Sequence, residues 1–191
     1  MSFRKIDNFL NIFCTGDLHL SHLMNRSIQK RGFNNPEQHT TFVRNQINSV
    51  VKSKSDILII NGDCGSPEIL LWFLDSLTSC NIWLTVGNHD HIKELLGLRK
   101  LKKVMRVEDN IKINYRDNLF YISHLPHKEW DGLYRNSYHP FAHTHNTMKP
   151  YLRAIDCGLD AQDMKPIHLD DVVKLRENFT NIDEYGKRID I

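Results

Sequence analysis

The stretch NIWLTVGNHD, Asn81–Asp90, joins an apolar run to a glycine and then to Asn88, His89 and Asp90. An apolar run of this length with aromatic and β-branched members is a strand candidate. Its uniform apolarity is that of a strand covered on both faces. Two earlier segments repeat the pattern. NFLNIFCTGD predicts a strand over Leu10–Thr15 that ends at Gly16 and Asp17, and DILIINGD predicts one over Ile57–Ile60 that closes on Gly62 and Asp63. Helix signals lie between and after them. PEQHTTFVRNQINSVVKS begins at Pro36 and Glu37, with Phe42, Gln46, Ile47 and Val50 as its expected inward stripe. PEILLWFLDSLTSC begins at Pro67, and Trp72 and Phe73 are expected in the core; HIKELLGLRKLKKV predicts a short helix. Strand and helix alternate three times, which is the order of a parallel sheet with covering helices.

The second half changes character. KVMRVEDNIKINYRDNLFYISH alternates short strands with turn signals at Glu108–Asn110 and Asp117–Asn118, and LRAIDCG and PIHLDDVVKL are further strand candidates. Parallel units followed by a strand-rich half imply an α/β sandwich of two sheets. The polar segment RENFTNIDEYGKRIDI is expected to be weakly ordered.

At 191 residues, one domain is expected. Lys and Arg total 25 against 23 Asp and Glu, so the charge argues little for a nucleic-acid surface. The four cysteines, Cys14, Cys64, Cys80 and Cys157, form no CxxC pair and are expected as reduced thiols. No apolar run is long enough for a membrane span, and MSFRKIDNFLNIF lacks signal-peptide features. A cytoplasmic protein without membrane association is the expectation.

Eleven histidines are the unusual feature, and most are clustered. Asp17 and His19 follow the first strand, Asp63 the second, and Asn88 and His89 the third; His124 follows NLFYIS, and His143 and His145 precede NTMKPYLRAIDCG. Each alone reads as a turn, a cap or a surface residue. Together they sit where open parallel sheets bind ligands, beyond the carboxyl ends of strands. Imidazole and carboxylate donors suit borderline transition metals.

These blocks resemble the calcineurin-like metallophosphoesterases. GDLH at Gly16–His19, NGD at Asn61–Asp63, GNHD at Gly87–Asp90, SH at Ser123–His124 and AHTH at Ala142–His145 follow that family's order over about Leu10–Asp170. DLHLSH, Asp17–His22, resembles its small single-domain branch. Two positions depart from the pattern: Ala142 stands where glycine is usual, and Cys64 follows Asp63. The resemblance implies a four-layer α/β/β/α sandwich and a two-metal phosphoesterase. One metal would be held by Asp17, His19, Asp63 and His145, the other by Asp63, Asn88, His124 and His143, with Asp63 bridging. Manganese is the first choice of metal, with iron, nickel or zinc as alternatives. A hydroxide between the metals would attack phosphorus in line, and His89 would contact the phosphate or protonate the leaving oxygen. Asp90 would orient His89 or hold the adjacent turn, and Arg31 in KRGF would bind phosphate.

Other residues carry weaker expectations. His91 reads as a helix-start residue, and His22 as a supporting contact or an exposed histidine. His127 and His139, with the aromatic Trp130, Tyr134 and Tyr138, would shape the substrate mouth. The leading function is hydrolysis of a phosphoester, favouring a small or accessible diester. The alternatives are a binding or scaffold protein keeping the fold, and a nuclease.

Overall fold

The computed structural model describes residues 2–176, so the polar segment after Arg176 lies outside the described residues. In chain order the elements are β1 (Arg4–Lys5), β2 (Ile12–Thr15), α1 (Arg26–Lys30), α2 (Pro36–Val50), β3 (Ile57–Asn61), α3 (Pro67–Asp75), β4 (Asn81–Thr85) and α4 (Ile92–Gly97). They continue with β5 (Val104–Glu108), β6 (Asn110–Tyr115), β7 (Asn118–Ser123), β8 (His139–Phe141), β9 (Ala154–Asp156), β10 (Ile167–His168) and α5 (Leu169–Arg176).

The first sheet has the order β10-β2-β3-β4-β5. β2 to β5 are parallel, and β10 joins β2 antiparallel. A parallel sheet that grows in one direction through crossovers of one hand places its connecting helices on one face. Accordingly Val43 and Ile47 of α2, Leu70, Phe73 and Leu74 of α3, and Leu95 of α4 pack with Leu58, Ile60 and Leu84 in one core. The strand residues between them, Ile57, Ile59 and Trp83, face the opposite way. That second face needs its own cover. The sheet β1-β6-β7 supplies it, with Ile111, Ile113, Tyr115, Phe120 and Ile122 meeting Ile12, Cys14, Ile57 and Ile59. Leu169 and Val172 of α5 join this inter-sheet core. The result is a layered α/β sandwich of two facing sheets, with helices on the outer face of the first. Burial on both faces is why β2, β3 and β4 read as continuous apolar runs.

Local chemistry sets the element ends. The Asn35 side chain accepts hydrogen bonds from the backbone N–H groups of Glu37 and Gln38, and Pro36 occupies the first turn of α2. Arg116 and Asp117, both with positive φ, form the two-residue turn between β6 and β7. That turn lies one residue earlier than expected.

Three further expectations are corrected. The inward face of α2 is His39, Thr40, Val43 and Ile47, while Phe42 is exposed. Trp72 is 51% exposed, with the Arg44 guanidinium 5.6 Å from its ring centre, whereas Phe73 is fully buried. Only Ile167 and His168 of PIHLDDVVKL form a strand; from Leu169 on the segment is α5, whose first turn carries Asp170 and Asp171, favoured against the helix N-terminal dipole. β8, unread in the sequence, pairs in parallel with β9.

These positions differ in their expected contribution to stability. Phe73→Ala should destabilise by about 3–5 kcal/mol through the cavity it leaves, and Trp72→Ala by less than about 1 kcal/mol, near the range for exposed substitutions. Urea unfolding midpoints check the contrast; equal losses would contradict the phase of α3.

All four cysteines are free thiols, with the buried Cys14 and Cys157 sulfurs 3.1 Å apart. No described helix is long and apolar enough to cross a membrane.

Candidate metal centre

The ends of β2, β3, β4 and β7, together with the loop after β8, bring the polar blocks to one edge of the sandwich. Asp17, His19 and His145 form one group and Asp63, His124 and His143 another, each with its ligand atoms within 4.8 Å of one another. Two contacts connect the groups through Asp63. Its Oδ2 is 3.6 Å from His19 Nε2, and its Oδ1 is 3.5 Å from His124 Nε2. Asn88 Oδ1 lies 2.9 Å from His124 Nε2 and 2.8 Å from His143 Nδ1.

The backbone is bent to achieve this. Asp17 (φ 55°), His19 (48°), Asp63 (50°), His143 (71°) and His145 (48°) all adopt the left-handed region. Such conformations cost about 1 kcal/mol or more each and concentrate at functional sites. Asp and His tolerate them better than most residues. Glycines allow the loops to close. A Cβ on Gly62 would lie 2.5 Å from His124 Nδ1, and one on Gly87 would lie 2.2 Å from the Asp63 backbone nitrogen.

Hydrogen bonds then fix the rings. His124 Nδ1 lies 3.0 Å from the Asn61 carbonyl oxygen, which can only accept, so Nδ1 carries the proton. In the neutral ring the Nε2 lone pair therefore points at the oxygens of Asn88 and Asp63. Likewise His145 Nδ1 donates to Asp160 Oδ2 at 2.6 Å, which turns its Nε2 toward His19 Nε2 at 3.2 Å. At His124 the Nε2 lone pair and the Asn88 and Asp63 oxygens repel one another unless a cation lies among them. This donor set fits divalent metal ions.

The electrostatics of Asp17 and His19 agree. Burial pushes the Asp17 carboxyl up to about 7; His145 opposes this shift, and Asp156 and Asp63 add to it. Burial pulls His19 down to about 4, which favours the neutral ligand form. His145 shifts upward because Asp160 accepts its proton. A cation among these groups would relieve the crowding of buried carboxylates.

The remaining candidates divide. His89 is exposed, its ring centre 5.6 Å from that of His19, and its backbone N–H donates to Asp63 Oδ1. Asp90 does not orient that imidazole. Its two oxygens accept the backbone N–H groups of Cys64 and Gly87, tying the Asp63 loop to the Asn88 loop. Arg31 departs further from expectation. Its guanidinium is buried and donates to Asp160, His39 and the Leu18 and Asp17 carbonyls, so all five N–H groups are satisfied within the protein. No donor is left for a phosphate.

His139 is a fully buried structural histidine. Its Nδ1 donates to the Tyr121 carbonyl and its Nε2 accepts from the His127 N–H, while burial holds it down at about 3. Trp130 is buried and donates to Ser137, whereas Tyr134 is exposed. His22 and His91 are exposed; His22 borders a cavity of about 340 Å³ with Glu37, Glu68 and Trp72. Cys64 is buried beneath the site, and burial pushes its thiol well above the usual range. Ala142 is buried, and its N–H donates to the His124 carbonyl, so the methyl group is accommodated while two ligand loops are joined.

Three supporting residues were not singled out in the sequence. Asn61 donates to the Ser123 carbonyl and accepts from Thr85 Oγ1, bracing the two sheets under His124. Asp156 accepts from Thr144 Oγ1 and the Asn146 N–H, shaping the loop that carries His143 and His145. Asp160 holds His145. Asp156 ends a predicted strand, the same signal that marked Asp17 and Asp63.

A family model described as calcineurin-like phosphoesterase matches residues 10–184. The chain belongs to the calcineurin-like phosphoesterase family. It is a metal-dependent phosphoesterase with a binuclear divalent metal centre. Among solved structures, a protein of unknown function, AQ665, from Aquifex aeolicus shares the fold with a TM-score of 0.68 and 19% identity, covering 87% of this chain and 99% of its own. A structure described as a novel archaeal phosphodiesterase has a TM-score of 0.52 and 17% identity over 83% of this chain and 98% of its own. No curated protein matches the chain.

Proposed function

We propose that this phosphoesterase hydrolyses a small or accessible phosphodiester. The observation that supports this most is the pairing of an open two-metal centre with a neighbouring guanidinium whose N–H groups are all satisfied within the protein. His143, Asn88 and His89 are exposed, while Arg31 lies inside. A monoester dianion gains from an additional cation. A diester carries one charge, which two metal ions suffice to offset.

When bound, the ions supply Lewis-acid polarisation of phosphate oxygens and lower the pKa of water. The chain contributes the rest. Asp63 spans the two groups, its charge offsetting repulsion between cations. Asn61 and Asp160 hold His124 and His145 with their Nε2 lone pairs inward. Asp90 fixes the turn that presents Asn88 and His89. The exposed His89 imidazole is placed to give a proton to the leaving oxygen or to stabilise developing phosphate charge. The donors are oxygen and nitrogen without sulfur, a set open to manganese, iron, nickel or zinc. Manganese is the first metal to test.

A substrate panel on metal-defined protein tests the reading. It contains bis-p-nitrophenyl phosphate, p-nitrophenyl phosphate, 2′,3′- and 3′,5′-cyclic nucleotides and single-stranded DNA, each with manganese, nickel and zinc. The expected result is a kcat/KM for the diester at least about tenfold above that for the monoester, a difference of about 1.4 kcal/mol in barrier. Faster monoester turnover would remove the diester assignment. Preference for the DNA would make the protein a nuclease.

A further inference from the structure

We propose that Arg31 is a positioning residue that assembles one of the two metal sites, the Asp17–His19–His145 group, and leaves the other to form without it. The inference rests on the two-metal reading and adds to it a division of labour within the supporting residues.

Arg31 touches the Asp17 main chain directly and is linked to His19 and His145 through their neighbours Leu18 and Asp160. Nη2 donates to the Asp17 carbonyl at 2.7 Å, and Nη1 donates to the Leu18 carbonyl, next to His19, at 3.1 Å. These two contacts clamp the main chain where Asp17 and His19 are both left-handed. Nε and Nη2 form a two-pronged ion pair with Asp160, at 2.9 and 2.7 Å, and Asp160 in turn accepts the His145 Nδ1 proton at 2.6 Å. Burial alone would raise the Asp160 carboxyl, but its bonds to Arg31 and His145 outweigh this and hold it ionised, well below the usual carboxylate range. The last donor meets His39 Nε2 at 3.1 Å; this fully buried histidine is pulled down to about 4, chiefly by burial, and accepts as a neutral ring. The planar fork satisfies these directions simultaneously, which a lysine ammonium does not.

The second group is held by other means. His124 is oriented by the Asn61 carbonyl, and Asp63 Oδ1 accepts the His89 N–H. The His143 N–H donates to the Asp17 carboxylate, and its Nδ1 lies against Asn88. None of these hydrogen bonds includes Arg31 or Asp160.

Partners that orient metal ligands typically change affinity by about 10- to 100-fold. Arg31→Lys and Asp160→Asn are therefore expected to weaken one manganese site by about that factor and to leave the other near its wild-type affinity. Calorimetric titration with manganese alone reads both constants. Electron paramagnetic resonance separates a lone Mn(II) ion from an exchange-coupled pair, so the variants at limiting manganese should show the lone-ion spectrum. The double variant should lose little more than either single one, because both break one network. Circular dichroism and unfolding of the metal-free proteins report folding. If Arg31→Lys does not fold, Asp160→Asn decides the matter. Wild-type affinity at both sites, or equal weakening of both, overturns the proposal. Wild-type protein that binds fewer than two ions would overturn the two-metal reading itself, and the positioning role with it.

Discussion

Asp63→Asn is expected to bind less than one manganese per chain under conditions where the wild type binds two, and to lose at least about 10³ in turnover. Asp63 is 2% exposed and lies near both His19 and His124, so its charge serves both ligand groups. The substitution keeps the shape and one oxygen but removes the anionic charge that offsets two adjacent cations. A metal ion contributes several kcal/mol of charge stabilisation to phosphoryl chemistry, and a loss of about 4 kcal/mol corresponds to about 10³ in rate. Asp17→Asn, which alters a ligand of one group, should mainly deplete one ion. Inductively coupled plasma mass spectrometry beside kinetics separates the two variants. An Asp63→Asn protein that retains two tightly bound ions would remove the bridging assignment.

His89→Ala is expected to keep both ions and lose about 10² to 10⁴ in rate, the range for a lost general acid. The imidazole is exposed beside His19, while its backbone N–H already serves Asp63. The substitution leaves that backbone contact in place, so the metal site should assemble. Loss should be greatest for substrates with poor leaving groups and least for p-nitrophenolate, which departs without much protonation. Equal losses for every leaving group would instead assign His89 to phosphate positioning. Loss of metal in proportion to activity would assign it to assembly of the site. Retention of both metals with little change in rate would remove it from the chemistry.

The parallel half of the fold was legible because its signals are local. β2, β3 and β4 are short apolar runs that end in glycine and a polar residue, and α2 and α3 open with proline and an acid. β8 was not legible. His139-Pro140-Phe141 has neither the length nor the alternation of a strand, and it is one because β9 lies beside it. The phase of α2 was read in part: Ile47 is in the core and Val50 packs against it, but Phe42 was misplaced for a related reason. Phe42 is the more apolar choice, but the face turned inward carries His39, whose ring accepts a bond from Arg31.

Within the site, the sequence by itself determined which residue types stand at the ends of the strands. Asp17, His19, Asp63, Asn88 and His124 follow apolar runs read as strands, because a strand end presents its next residues at the sheet edge, whereas His143 and His145 follow β8 and were marked by the resemblance to the family pattern. Only the tertiary structure decided where the other charged side chains point. Arg31 reads as a phosphate ligand or a solvated surface arginine, and Asp160, 129 residues away, makes it a buried clamp instead. Asp90 likewise reads as a partner for His89 or as a brace for the adjacent turn, and the N–H groups of Cys64 and Gly87 make it the brace. The physical reason is that a buried charge must have its hydrogen bonds satisfied. The groups that satisfy these lie on loops far apart in the chain, which only the closed sandwich brings together.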